Sequence, residues 1–135
     1  MVVRRSPLIY GGKAADITPA NPHLAILTNP RVLQVSDNST HNHQVKRSNH
    51  SAVWVANTGE RSGLYVGLFS LSGPPATVGA TFAELGVPSG VTSAKVSDLW
   101  TGSALAEAEG SVFADLVPCS KKSSGPCAAL LHLSW

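Results

Sequence analysis

The chain has 135 residues, of which 43% are hydrophobic and only 13% charged, enough apolar material for one compact domain with a real core and too much for a disordered tail. Ten basic against eight acidic residues leave a formal charge of +2, spread rather than clustered, which gives nucleic acid no basic patch to engage. No apolar stretch approaches the roughly 18 residues that a membrane-spanning helix requires, so no bilayer is expected as a partner.

Twelve glycines and nine prolines set between short apolar runs favour an all-β chain. After Met1-Val2-Val3-Arg4-Arg5, only Leu8-Ile9-Tyr10 precede Gly11-Gly12, short of the apolar segment of a secretory signal, so the sequence carries no export address and its location is left open. Residues 5–10 read as a short buried strand ending at that glycine pair. Thr18 suits a helix N-cap and Pro19 the first helical position, predicting about three turns through Leu24, Ile26 and Leu27 that stop at Asn29-Pro30. Val32, Leu33 and Val35 with polar neighbours predict a strand over 31–35.

From 36 to 51 the composition turns to Asp, Asn, Ser, His, Lys and Arg with Val45 alone apolar, which reads as a surface connection holding at most one weak strand. Residues 52–56 and 64–71 are apolar runs joined by a polar loop with two glycines, a hairpin. In the second run odd and even positions are both mostly apolar, so both faces are expected to be covered. Further strands are expected at 76–82, 93–100, 111–117 and 128–135, the last with Ala129, Leu131, Leu133 and Trp135 on one face. Such spacing of turns and strands predicts an antiparallel Greek-key β-sandwich of about seven or eight strands.

The chemistry-bearing residues are sparse. Glycoside cleavage needs two carboxyl groups facing across a cleft. Of the eight available, Glu107 and Glu109 could share a strand face but lie beside Gly110 and read as a solvated edge, and Asp98 sits in no recognisable catalytic setting. No catalytic or substrate-binding residue is assigned. His41 and His43 could point to one side of an extended segment, but no third ligand is spaced to join them, so no metal is expected; His132 reads as a histidine on the sheet surface. Gly11-Gly12-Lys13-Ala14 lacks the pattern of a phosphate loop, no G-x-S-x-G elbow is present, and no cofactor is expected. Cys119 and Cys127 flank a loop able to bring two strand ends within disulfide distance, and Asn38 and Asn49 each head an N-glycosylation sequon. Trp54 and Trp100 read as core, and Trp135 as loosely held; stacking on sugar would require them in line on an exposed face.

Two groups of residues carry a resemblance. Arg5-Ser6-Pro7-Leu8-Ile9-Tyr10-Gly11-Gly12, followed by Leu27-Thr28-Asn29-Pro30-Arg31-Val32-Leu33-Gln34-Val35, resembles the exit from the catalytic barrel in α-galactosidases of glycoside hydrolase family 27, especially plant-type members. Tyr65-Val66-Gly67-Leu68-Phe69-Ser70-Leu71, Leu85-Gly86 and Val96-Ser97-Asp98-Leu99-Trp100-Thr101-Gly102 resemble strands of that family's C-terminal sandwich. The resemblance departs at Lys13-Ala14-Ala15, where the family places Asp directly after the paired small residues.

The resemblance implies that residues 1–30 are the last strand and helix of a (β/α)8 barrel and residues 31–135 the C-terminal β-sandwich. It implies an accessory, non-catalytic role beside the catalytic barrel of a parent enzyme that hydrolyses terminal α-galactosides, and family members are typically extracellular, vacuolar or lysosomal. The family's catalytic aspartates lie on earlier barrel strands, so none carries over to this sequence. The competing readings are a stand-alone carbohydrate-binding module and a protein-interaction sandwich without a ligand.

Overall fold

The computed structural model describes residues 11–21, 23–119 and 124–135. The strand expected at 5–10 lies outside them. Among the described residues three α-helices and eight strands follow in the order α1 (Leu24–Leu27), α2 (Pro30–Asn38), β1 (Thr40–Arg47), β2 (Ser51–Asn57), β3 (Gly63–Ser70), β4 (Ala76–Thr81), α3 (Phe82–Leu85), β5 (Ser93–Asp98), β6 (Ala108–Glu109), β7 (Ser111–Leu116) and β8 (Ala128–Ser134). They form a six-stranded sheet, ordered β1-β2-β3-β8-β5-β6, and a two-stranded sheet of β4 and β7. Every pairing is antiparallel, and β8 is threaded between β3 and β5, the non-sequential order of a sandwich rather than a meander.

β3 is the central element. Its even residues Leu64, Val66 and Leu68 face the small sheet and pack with Val53 and Val55 of β2, Leu131 and Leu133 of β8, and Val78, Val112 and Leu116 opposite. Alternation puts Tyr65, Gly67 and Phe69 on the outer face. Leu68 and Leu133 are 0% exposed, and burial of each contributes about 1.5–3 kcal/mol.

Several expectations fail for local reasons. The three-turn helix from Thr18 is reduced to the single turn α1, because the backbone N–H groups of Asn21 and Leu24 close turns onto Thr18 and Asn21 while the Asn21 side chain accepts from His23 N–H. The strand expected at 31–35 is the helix α2: Asn29 accepts from Arg31 N–H with Pro30 in the first turn, so Asn29-Pro30 starts a helix instead of ending one. The polar run expected as a connection holds the full strand β1, which pairs with β2 through backbone groups indifferent to side chain. It is an edge strand with two register irregularities, and His41 there has φ of 55°.

Two strands end earlier than expected. Thr81 and Glu84 form a reciprocal capping box, so Phe82 opens α3 instead of closing β4, and Gly86 ends α3 at φ of 77°. Asp98 ends β5 by accepting from Trp100 N–H at 3.0 Å and the Thr101 hydroxyl at 2.8 Å. Trp54 and Trp100, expected in the core, are 44% and 40% exposed, whereas Trp135 packs against the core.

Candidate functional site

The outer face of the six-stranded sheet is apolar at its middle, over β2, β3 and the facing part of β8. Register aligns Trp54, Gly67 and Leu130 across β2, β3 and β8, with Ala52, Phe69 and Ala128 in one flanking row and Ala56, Tyr65 and His132 in the other. Gly67 has no β-carbon, and the Phe69 ring occupies that space: a β-carbon there would lie 2.9 Å from Phe69 Cε2. Trp54 and Phe69 therefore form an aromatic platform over the middle of the sheet, Phe69 being 38% exposed. Tyr65 is buried, with its ring centroid 5.5 Å from that of His132. Burial first, and the Glu60 charge second, push the Tyr65 hydroxyl above its ordinary range, so it stays neutral at physiological pH.

α2 covers one end of this face. Val35 packs against Ala56, Tyr65 and Leu99, and a hollow of about 250 Å³ bounded by Val35, Trp54, Phe69 and Leu130 continues from the helix across the platform. The segment is anchored there: Asn29 Nδ2 donates to Trp100 O at 2.9 Å, and Arg31 Nε donates to Leu99 O at 3.3 Å. Gly102, at φ of 78°, leaves room for the Arg31 guanidinium, which a β-carbon would meet at 2.6 Å.

Trp100 does not join Trp54. It lines a separate open groove of about 400 Å³ with Leu105, Phe113, Asp98 and Asp115. The two tryptophans are thus not aligned on one surface.

The remaining candidate residues are dispersed. Cys119 and Cys127 are joined by a disulfide. Asn38 is exposed at the end of α2 and Asn49 in the β1–β2 turn. His41 and His43 lie on β1 with His43 Nδ1 2.7 Å from the His41 carbonyl, and among the described residues no group of three or more His, Cys, Asp or Glu side chains could hold a metal ion. Glu107 accepts from the Ser93 hydroxyl at 2.6 Å. Glu84 accepts from Thr81 N–H and the Lys46 ammonium; these interactions, the backbone one foremost, hold its carboxyl below the ordinary range against the opposing effect of desolvation. The sequence reading missed Trp54 and Phe69 as surface residues. The signal available was their alternation with the inward Val53, Val55 and Leu68.

Residues 48–118 match the family model described as the α-galactosidase C-terminal β-sandwich domain. No curated protein sequence matches. Among solved structures, a GH27 β-L-arabinopyranosidase from Geobacillus stearothermophilus is 29% identical with a TM-score of 0.81, the match covering 97% of this chain and 27% of that one. α-Galactosidase I from Mortierella vinacea is 20% identical with a TM-score of 0.77 over 96% of this chain and 32% of its own, a likeness of fold. The chain thus spans about a third or less of the length of these proteins.

Proposed function

The chain belongs to the family of α-galactosidase C-terminal β-sandwich domains, and from that premise we propose that it serves as the accessory, non-catalytic sandwich of a GH27-type glycoside hydrolase, docked on a catalytic (β/α)8 barrel. The observation that carries this is the aromatic platform of Trp54 and Phe69, which continues directly from the helix α2 lying on the same face. An exposed apolar surface of this kind has the composition of an interface core. α2 lies on that face, and the chain reaches it at Asn29, which is bonded to the backbone of Leu99 and Trp100.

In this reading residues 1–30 complete the barrel and residues 31–135 form the sandwich, with Asn29 and Arg31 pinning the seam to the backbone of Leu99 and Trp100. The parent activity would be hydrolysis of terminal α-galactosides, its paired carboxylates supplied by the barrel. The carboxylates of the sandwich have other tasks: Asp98 holds a turn, Glu84 caps a helix, and Asp115 accepts from the Thr77 hydroxyl.

The experiment is a graft. Residues 31–135 replace the corresponding segment of the Geobacillus arabinopyranosidase, and thermal unfolding is compared with that of its barrel alone. A higher midpoint and a single transition are expected; a barrel that unfolds as if the graft were absent contradicts the reading.

A further inference from the structure

We propose that Asn49 is a modification site, carrying an N-linked oligosaccharide on the turn between β1 and β2. The inference is independent of the docking role, because it uses no residue of the platform. Asn49-His50-Ser51 has the asparagine, and the hydroxyl two residues on, that oligosaccharide transfer requires, with no proline between them.

The fold presents this asparagine outward. Ser48 organises the turn: its Oγ accepts from His50 N–H at 3.1 Å and from Ser51 N–H at 3.0 Å, and its own N–H donates to Ser51 O at 2.9 Å. The segment after β3 then holds the turn from one side. Ser72 Oγ donates to Asn49 O at 3.0 Å, Leu71 N–H donates to His50 O at 2.7 Å, and the His50 ring lies against Gly73, where a β-carbon would be 2.8 Å from Nδ1. The backbone is thus tied down, while Asn49 is exposed and its carboxamide takes no hydrogen bond among the described residues. A bulky, hydrated sugar can stand there without displacing a contact.

Asn38 heads the other sequon and is exposed too, but it closes α2, the helix that lies on the docking face, and Ser39 behind it is 1% exposed. Asn49 sits at the other end of β2. Val35 of α2 packs against Ala56, about 17 Å along the strand from Ser51, so a sugar on Asn49 leaves that helix clear.

A second observation bears on the compartment. Cys119 and Cys127 are joined by a disulfide, and such bridges form and persist in oxidising settings such as the lumen of the secretory pathway. Asparagine-linked sugars are added in that same lumen. In the transfer, Asn49 Nδ2 forms a bond to the anomeric carbon of an oligosaccharide carried on a polyprenyl diphosphate. The bond from that carbon to the diphosphate oxygen breaks, the diphosphate leaves, and one amide proton passes to a base of the transferase.

The full chain, led by an added secretion signal, is expressed in a eukaryotic secretory host and its mass is measured before and after peptide-N-glycosidase F. A mass loss is expected, with aspartate in place of Asn49 in the released chain. Asn49→Gln and Ser51→Ala should abolish the modification of that turn, whereas Ser51→Thr and Asn38→Gln should keep it. A secreted chain that the glycosidase leaves unchanged, sugar confined to Asn38, or free thiols at Cys119 and Cys127 would each overturn the assignment. Unchanged far-ultraviolet circular dichroism in the secreted variants separates loss of the sequon from loss of the fold.

Discussion

Phe69 lays its ring over Gly67, two residues earlier on the same face of β3, and Trp54 completes the surface from β2 with its Cβ 3.8 Å from where a Gly67 β-carbon would be. The glycine is what lets the platform lie flat. Gly67→Ala meets only the mobile end of a side chain, so the ring should swing aside for about 1 kcal/mol or less. Gly79→Ala meets the backbone carbonyl of Val112 as well as the Phe113 ring and should cost about 3 kcal/mol or more. Urea unfolding of the two variants checks the contrast; equal costs would contradict this account of the glycines.

Leu133 is 0% exposed, between the sheets, whereas Leu105 stands at the rim of the groove. Leu133→Ala should destabilise the chain by about 3 kcal/mol through lost burial and a residual cavity. Leu105→Ala should stay within about 0.5 kcal/mol of the parent. The same urea titration measures both.

The Cys119–Cys127 disulfide closes the end of β7 to the start of β8, beside the bonds from Val117 N–H to Pro126 O and Ser70 N–H to Cys127 O. The loop is short, so the bridge should contribute about 2.5 kcal/mol by restricting the unfolded chain. Cys119→Ser/Cys127→Ser should lower the urea midpoint accordingly while keeping the sheet signal in circular dichroism.

Glu84 is the carboxylate whose titration should register in stability. Its carboxyl is held below the ordinary range foremost by the Thr81 backbone N–H and then by the Lys46 ammonium. A group lowered by folding adds stability above its unfolded value and loses it as pH falls through the folded one. The thermal midpoint of the parent should therefore exceed that of Glu84→Gln at neutral pH, and the gap should close as the solution is acidified through the lowered range of that carboxyl. A gap that persists in acid would mean that charge is not what Glu84 contributes.

The sequence made the buried strands legible and the surface obscure. β2, β3, β7 and β8 show in the spacing of Val53, Val55, Val66, Leu68, Val112, Leu116, Leu131 and Leu133, because each is forced inward by the period of a strand. β1 is hidden because an edge strand holds on through its backbone, so Thr40 to Gln44 can all be polar. α2 is hidden because Val32, Leu33 and Val35 fit either period and only the capping role of Asn29 decides. The site is harder still. β3 reads as covered on both faces, and in the structure α2 covers only the end of the outer face near Tyr65, leaving Trp54 and Phe69 bare. No property of residues 52–71 alone reports how far a helix from 30–38 will reach.

The claim on which the account turns is that the platform is a docking face, and hydroxyl-radical footprinting reads it side chain by side chain. In the isolated chain Trp54, Phe69 and Phe113 should all oxidise readily. In the graft on the arabinopyranosidase barrel, Trp54 and Phe69 should be protected while Phe113 stays reactive. Equal oxidation of Trp54 and Phe69 in the two settings, or protection of Phe113 in their place, would contradict it.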